Sequence, residues 1–177
     1  DGVFHTKKNW KFMTTRFPEW IRRSWGSGPA VEDTRNLLEG LGLNTVCQSA
    51  RCPNRGECWA RHTATVMILG DVCTRSCLFC AVGGGAPQTV QPDEPQRVAE
   101  LVVRLKLRHA VITSVTRDDL PDGGANHFAA TIRAIRAKSP ATSVEVLTPD
   151  FDGNTKSLNV VMDAEPDIFG HNIETVR

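Results

Sequence analysis

"TATVMILGDVCTRSCLFC", residues 63–80, decides how the rest of the chain is read. Its first seven residues form a short apolar run rich in β-branched side chains, which predicts a buried strand at 63–69. The octapeptide "CTRSCLFC" (73–80) follows as a loop, and three of its eight positions are cysteine, with gaps of three and two residues. Chemistry-bearing side chains are thus expected at the C-terminal end of a strand.

Downstream the pattern repeats. A Gly/Pro stretch, "GGGAPQTVQPDEP", leads into "QRVAELVVRLKLRH", where Val98, Leu101, Val102 and Leu105 recur at helical spacing. "AVITSV" (110–115) reads as a strand, "TRDDLPDGG" as a polar loop, and "NHFAATIRAIRAK" as a helix with Phe128, Ile132 and Ile135 inward. "SVEVLTP" (143–149) predicts a third strand, "TKSLNVVMDA" a third helix, and "DIFGHNIET" a fourth strand. Strands alternating with helices predict βαβ units, hence an α/β fold with a parallel sheet. Function in such sheets sits in the loops after the strands, which here are 70–80, 116–125 and 170–174.

Upstream, the first 30 residues scatter Trp10, Phe12, Phe17, Trp20, Ile21 and Trp25 among basic residues without a period, and are expected to lay aromatic anchors on the body as an arm. Residues 31–41 predict a short helix with Leu37, Leu38 and Leu41 on one face, ended by Gly42. The expected division is a cysteine-bearing N-terminal extension at 1–62 and an α/β body at 63–177.

Bulk properties narrow the function classes. The 177 residues suffice for one domain with a real core. A net charge of +1 gives no strong field, so neither nucleic acid nor an anionic membrane is an expected partner. No apolar run approaches the roughly 18–20 residues that span a bilayer. "DGVFHTKKNW" lacks the hydrophobic region of a secretory leader, and a chain opening on Asp1 leaves room for a missing start, including a removed targeting peptide.

All six cysteines lie between Cys47 and Cys80. The upstream group, "CQSARCPNRGEC" (47–58), has gaps of four and five residues. A disulfide framework suits small secreted chains with poor cores, and neither condition holds. Buried structural thiols would follow a strand or helix period, and these do not. Structural zinc usually takes two C-x2-C knuckles, and only Cys77 and Cys80 have that spacing. Each group instead offers three thiolates and no fourth. That set suits a cubane iron–sulfur cluster with one iron left open for chemistry, with Leu78 and Phe79 expected to shield the loop.

"CTRSCLFC" resembles the C-x3-C-x2-C motif of the radical S-adenosylmethionine superfamily. "CQSARCPNRGEC" resembles the second signature of the lipoyl synthase family within it, as do "VITSVTRDDLPDGGANHF" and "HNIETV". The likeness runs from about Pro18 to Arg177. It implies a (β/α)6 barrel, of which the sequence supplies roughly four strands, and two [4Fe–4S] clusters. Cys73, Cys77 and Cys80 would hold the cluster that reduces S-adenosylmethionine. Cys47, Cys52 and Cys58 would hold an auxiliary cluster that donates sulfur. The implied activity is insertion of two sulfur atoms into an octanoyl chain on a lysine of an acceptor protein, of the lipoyl-domain or H-protein type. A ferredoxin or flavodoxin would supply electrons.

Further roles follow from the resemblance alone. Gly123 and Gly124 match a pair that runs along the methionine part of the cofactor; a plain turn before the next helix explains them equally well. Phe79 would touch the adenine, or merely shield the loop. Asn172 and Glu174 would reach the ribose. No residue is assigned as a catalytic acid or base. Arg117, Asp118 and Asp119 are either a solvated ion-pair cluster or a device that orders the site loop. His62, His127 and His171 are expected to be structural.

Two expectations concern extent and place. The family carries a C-terminal Arg-Ser-Ser whose serine completes the auxiliary cluster, and "RSW" at 23–25 stands in another region and context. The chain is therefore expected to be a fragment, poorly soluble and inactive alone because part of a barrel leaves strand edges unpaired. Its expected compartment is the bacterial cytoplasm, or the mitochondrial matrix or a plastid in a eukaryote. The competing readings are another radical S-adenosylmethionine enzyme that inserts sulfur or methylthio groups, and a zinc-binding structural module.

Overall fold

The computed structural model describes residues 28–173. The aromatic arm (all but its last residues) and Glu174 lie outside the described residues.

Helix α1 (Pro29–Gly40) starts on a proline, whose fixed φ suits a first turn, and so begins two residues before the expected position. Gly42, at φ 58°, turns the chain out of it. A two-residue strand β1 (Asn44–Thr45), a single turn α2 (Val46–Ser49) and a short helix α3 (Arg55–Ala60) then carry the first cysteine group. The cysteines are therefore less detached from regular structure than their spacing suggests: Cys47 lies in α2 and Cys58 in α3.

The body follows as β2 (Thr65–Ile68), β3 (Val72–Cys73), β4 (Gly83–Gly84), α4 (Glu94–Arg104), β5 (His109–Ser114), α5 (Ala125–Lys138), β6 (Ser143–Leu147), a 3-10 turn (Phe151–Gly153), α6 (Thr155–Met162) and β7 (Ile168–Gly170). The main sheet has the order β1-β2-β5-β6-β7. Strands β2, β5, β6 and β7 run parallel, in register Met67–Thr113–Leu147–Gly170, and β1 joins β2 antiparallel. This is an α/β wall of the expected kind, part of a barrel. Among the described residues β7 pairs on one side only, with β6.

Periodicity explains the packing. Val98, Leu101 and Val102 of α4 and Phe128, Ile132 and Ile135 of α5 are completely buried, against Ile112, Val144 and Val146 of the sheet. Phe128 also meets Phe151 edge-on, with centroids 6.3 Å apart. Val31, Leu38, Leu43, Cys47 and Trp59 join the same core, so the segment before β2 packs on the body. Arg97 of α4 adds a polar tie, donating to the carbonyls of Leu41 and Gly42 at 2.7 and 3.0 Å.

All four parallel strands end earlier than their sequences suggest, β5 at Ser114 and β7 at Gly170, and for the other two the cause is local. β6 stops at Leu147 because Pro149 cannot donate to a ladder. β2 stops at Ile68 because Leu69 and Gly70 take left-handed φ values of 68° and 94°. That kink starts the cysteine loop. The octapeptide itself is not all loop: its Cys73, with the preceding Val72, pairs in parallel with Gly83 and Gly84, closing the loop at its base.

Candidate functional site

The kink after β2 is held from both sides. The Leu69 N–H donates to Glu94 Oε2 at 2.9 Å, and the same oxygen lies 2.6 Å from His127 Nε2. The Leu69 carbonyl accepts from Arg117 Nη1 at 3.1 Å. Arg117, only 3% exposed, forks onto Asp119 with two bonds of 2.8 Å. Hydrogen bonding to Asp119 holds the Arg117 pKa up, opposed by burial, while the same bonds hold the Asp119 carboxyl below its usual range. Of the two readings for Arg117–Asp119, ordering of the site loop is the one this geometry supports. A leucine at positive φ is strained, so such anchoring has work to do.

Gly124 completes the junction. Its φ is 91°, and a Cβ there would stand 2.3 Å from Leu69 Cδ1; one on Gly123 (φ 60°) would stand 3.0 Å from Phe151 Cδ1. Leu69 and Phe151 therefore already account for the glycine pair. Asp122 caps the turn, accepting from the backbone of Gly124 and Asn126 at 3.0 and 2.8 Å.

The cysteine loop is stitched to the end of β5. Cys73 Sγ accepts from the backbone N–H groups of Arg75 and Thr116 at 3.4 and 3.3 Å. The Thr74 N–H donates to the Thr116 carbonyl at 3.1 Å, and the Thr74 hydroxyl accepts from the Asp118 N–H at 3.1 Å. Gly84 lies close under the loop, since a Cβ there would stand 2.4 Å from Ser76 Oγ. Cys77 and Cys80 are exposed at the far end, joined by a bond from Cys80 N–H to the Cys77 carbonyl at 3.0 Å. Leu78 and Phe79 do not shield them. Both project outward, Leu78 fully and Phe79 64% exposed, because the loop is anchored at its base, by Cys73 and Gly84, and not at this tip.

The upstream triad is more enclosed. Cys47 is buried, Cys52 and Cys58 partly so, and the Cys52 N–H donates to the Cys47 carbonyl at 3.2 Å. Burial pushes the Cys58 thiol up, and the neighbouring Cys47 and Cys52 push it further in the same direction. A thiol held protonated in this way is stabilised as its thiolate by a bound cation. All six cysteines are free, so no disulfide framework exists. Among the described residues no three His, Cys, Asp or Glu side chains are gathered about a point that could hold one metal ion.

The donor sets fit an iron–sulfur cubane: three soft thiolates each, with two backbone N–H groups aimed at the Cys73 sulfur, the kind of bond that tunes cluster potential. Beside the loop, at the C-terminal ends of β5 and β6, opens a cleft of about 450 Å³ lined by Arg75, Thr116, Asp118, Gly123, Phe151 and Asn154 among others. Four of the ten lining residues, Pro149, Phe151, Asp152 and Asn154, lie outside the loops that the sequence singles out. The loop after β6, "TPDFDGN" (148–154), supplies Phe151 and Asn154, and its place after a strand was the signal that could have found it. Asn172 is exposed past β7. The histidines have structural partners: Thr34 for His62 at 3.5 Å, Glu94 for His127, and the Thr148 carbonyl for His171 at 3.0 Å.

A cysteine loop at the carboxyl mouth of parallel strands defines a cluster-binding class of α/β-barrel proteins. The chain belongs to the radical SAM superfamily, whose family model matches residues 67–177. Membership implies S-adenosylmethionine and a [4Fe–4S] cluster as cofactors. Among curated proteins it is similar to the lipoyl synthase of Symbiobacterium thermophilum, 59% identical over 163 residues that make 92% of this chain and 51% of the relative. The lipoyl synthases of Rubrobacter xylanophilus (58% over 159 residues; 90% and 50%) and Thermus thermophilus (54% over 161 residues; 90% and 50%) match similarly. The chain spans about half the length of the curated relatives it matches.

Proposed function

We propose that this chain is the cluster-bearing part of a lipoyl synthase, which inserts two sulfur atoms into a protein-bound octanoyl chain. The observation that carries the reading is the pair of free thiol triads, one of them in the loop beside the cleft. Cys73, Cys77 and Cys80 hold one [4Fe–4S] cluster, and Cys47, Cys52 and Cys58 hold the second. When bound, these groups supply one-electron cleavage of S-adenosylmethionine, hydrogen abstraction from unactivated carbon, and sulfur.

The protein's own residues orient and exclude. Thr116 and Arg75 donate backbone N–H groups to the Cys73 sulfur, which restrains that ligand before any cofactor binds. Leu120, Pro121 and Phe151 give the cleft an apolar side suited to an alkyl chain. Gly123 lines the same cleft, where its backbone would run along the methionine part of the cofactor, with Gly124 behind it against Leu69. Phe79 is free to lie against the adenine, and Asn172 with Glu174 would serve the ribose. The protein partners in this reading are an octanoylated lipoyl-domain or H-protein-type acceptor and a small electron carrier, in a bacterial cytoplasm or its organellar counterpart.

The test is reconstitution without oxygen. The chain, joined to the part of the Symbiobacterium thermophilum relative that it does not match, is supplied with iron, sulfide, S-adenosylmethionine, a reductant and an octanoyl-lysine protein. Lipoyl-lysine is expected by mass spectrometry. Two bound clusters with a methylthiolated or unchanged substrate would instead support another sulfur-inserting member of the superfamily.

A further inference from the structure

Arg75 stands between Cys73 and Cys77 and reaches two other loops at once. Nε and Nη2 donate to the two carboxylate oxygens of Asp118 at 2.9 and 2.8 Å. Nη1 and Nη2 donate to those of Asp150 at 2.7 and 2.9 Å. Each carboxylate is thus gripped by two parallel N–H donors, a geometry open to a planar guanidinium and closed to an ammonium. Asp118 follows β5 and Asp150 follows β6, so one side chain ties the cysteine loop across both strand ends.

The sheet does not need this clasp. The ladders of β2, β5 and β6 hold these strands along their length, and the fork lies at the rim, with the Arg75, Asp118 and Asp150 side chains 34%, 41% and 48% exposed. An exposed ion pair of the ordinary kind contributes little to folding. What the clasp does is local. Thr74, its neighbour, is bonded to Thr116 and Asp118, and Cys73 to Thr116, so residues 73–75 become one block with the β5 end. Arg75 extends that block to the β6 loop and forms part of the cleft wall.

We propose that Arg75 is a positioning residue: by holding Asp118 and Asp150 together it fixes the Cys73–Cys77 segment against the cleft and so sets where the cluster faces its ligands. The proposal rests on the reading of Cys73, Cys77 and Cys80 as cluster ligands. Lysine in its place keeps the charge but cannot fork twice, and loss of Asp150 leaves the Asp118 fork intact.

The test uses the anaerobically reconstituted protein with Cys47, Cys52 and Cys58 replaced by serine, so that one cluster remains. Iron content, the rate of cluster loss to a chelator, and the electron paramagnetic resonance spectrum of the reduced cluster with and without S-adenosylmethionine are measured. Arg75→Gln should speed cluster loss about tenfold, the size expected when a ligand-orienting contact is removed. It should also broaden the spectrum and shrink its response to S-adenosylmethionine. Arg75→Lys should recover this only in part, and Asp150→Asn, which keeps the Asp118 fork, should fall between. Arg136→Lys, at a rim pair with Asp167 on the other end of the sheet, should change nothing. Variants that hold, lose and display the cluster as the parent does overturn the clasp. A parent that takes up no iron overturns the ligand reading, and the clasp with it.

Discussion

Replacing Glu94 with alanine should destabilise the protein far more than an ordinary surface change. Glu94 is 4% exposed. Its Oε2 accepts the Leu69 N–H at 2.9 Å and faces His127 Nε2 at 2.6 Å. Alanine leaves both groups buried without that partner, and each such group costs about 1–3 kcal/mol. The carboxylate also attracts the Arg117 guanidinium, an interaction that is lost as well. The sum is about 3–5 kcal/mol, which for a chain of this size lowers the melting temperature by about 6–20 °C. Glu94→Gln keeps an acceptor for Leu69 and should cost about 1–2 kcal/mol. Urea titrations followed by circular dichroism, on protein without cluster, give the comparison, and hydrogen exchange at Leu69–Val72 should rise in the alanine variant. A loss below about 1 kcal/mol for Glu94→Ala, or equal losses for both variants, would refute the idea that this carboxylate pins the strand-to-loop kink.

Other expectations follow from the same geometry. Gly124→Ala should cost about 2–4 kcal/mol, since φ 91° and a Cβ 2.3 Å from Leu69 Cδ1 both oppose it, and Leu69→Ala should recover part of that in a double-mutant cycle. Phe128→Ala, at a fully buried position against Phe151, should cost about 3–5 kcal/mol in urea denaturation. Arg75 donates to Asp118 and Asp150 and holds both carboxyls below their ordinary range. Their contribution to stability, small for pairs this exposed, is therefore complete above the unfolded carboxylate value of about 3.9 and disappears as pH falls through the lowered folded values. Urea midpoints measured down to about pH 3 should fall with acid, and fall less in Arg75→Gln; parallel curves would contradict it.

Much of the architecture was legible because it is a matter of period. Val98, Leu101 and Val102 on one helix and Phe128, Ile132 and Ile135 on another follow from spacing, and all six lie in the core. The cysteine motifs were legible because their spacing is itself chemical information. What escaped was tertiary pairing. Glu94 reads as one more polar residue at a helix start, and nothing local says that it is buried under Leu69 and His127. Arg75 reads as filler between cysteines until Asp118 and Asp150 arrive from loops 43 and 75 residues away. The glycine pair carried a true signal, the need for bare backbone, whose first cause is the approach of Leu69 and Phe151. Leu78 and Phe79, read as a shield, are an exposed tip because burial depends on where a loop is anchored.

The most direct measurement is a Mössbauer spectrum of the protein reconstituted with labelled iron in the absence of oxygen, with metal analysis alongside. Two [4Fe–4S] centres, roughly eight irons per chain, are expected, and serine at Cys73, Cys77 and Cys80 or at Cys47, Cys52 and Cys58 should each remove one centre and leave the other. A colourless protein that holds zinc, or a spectrum unchanged by either set of substitutions, would contradict the account.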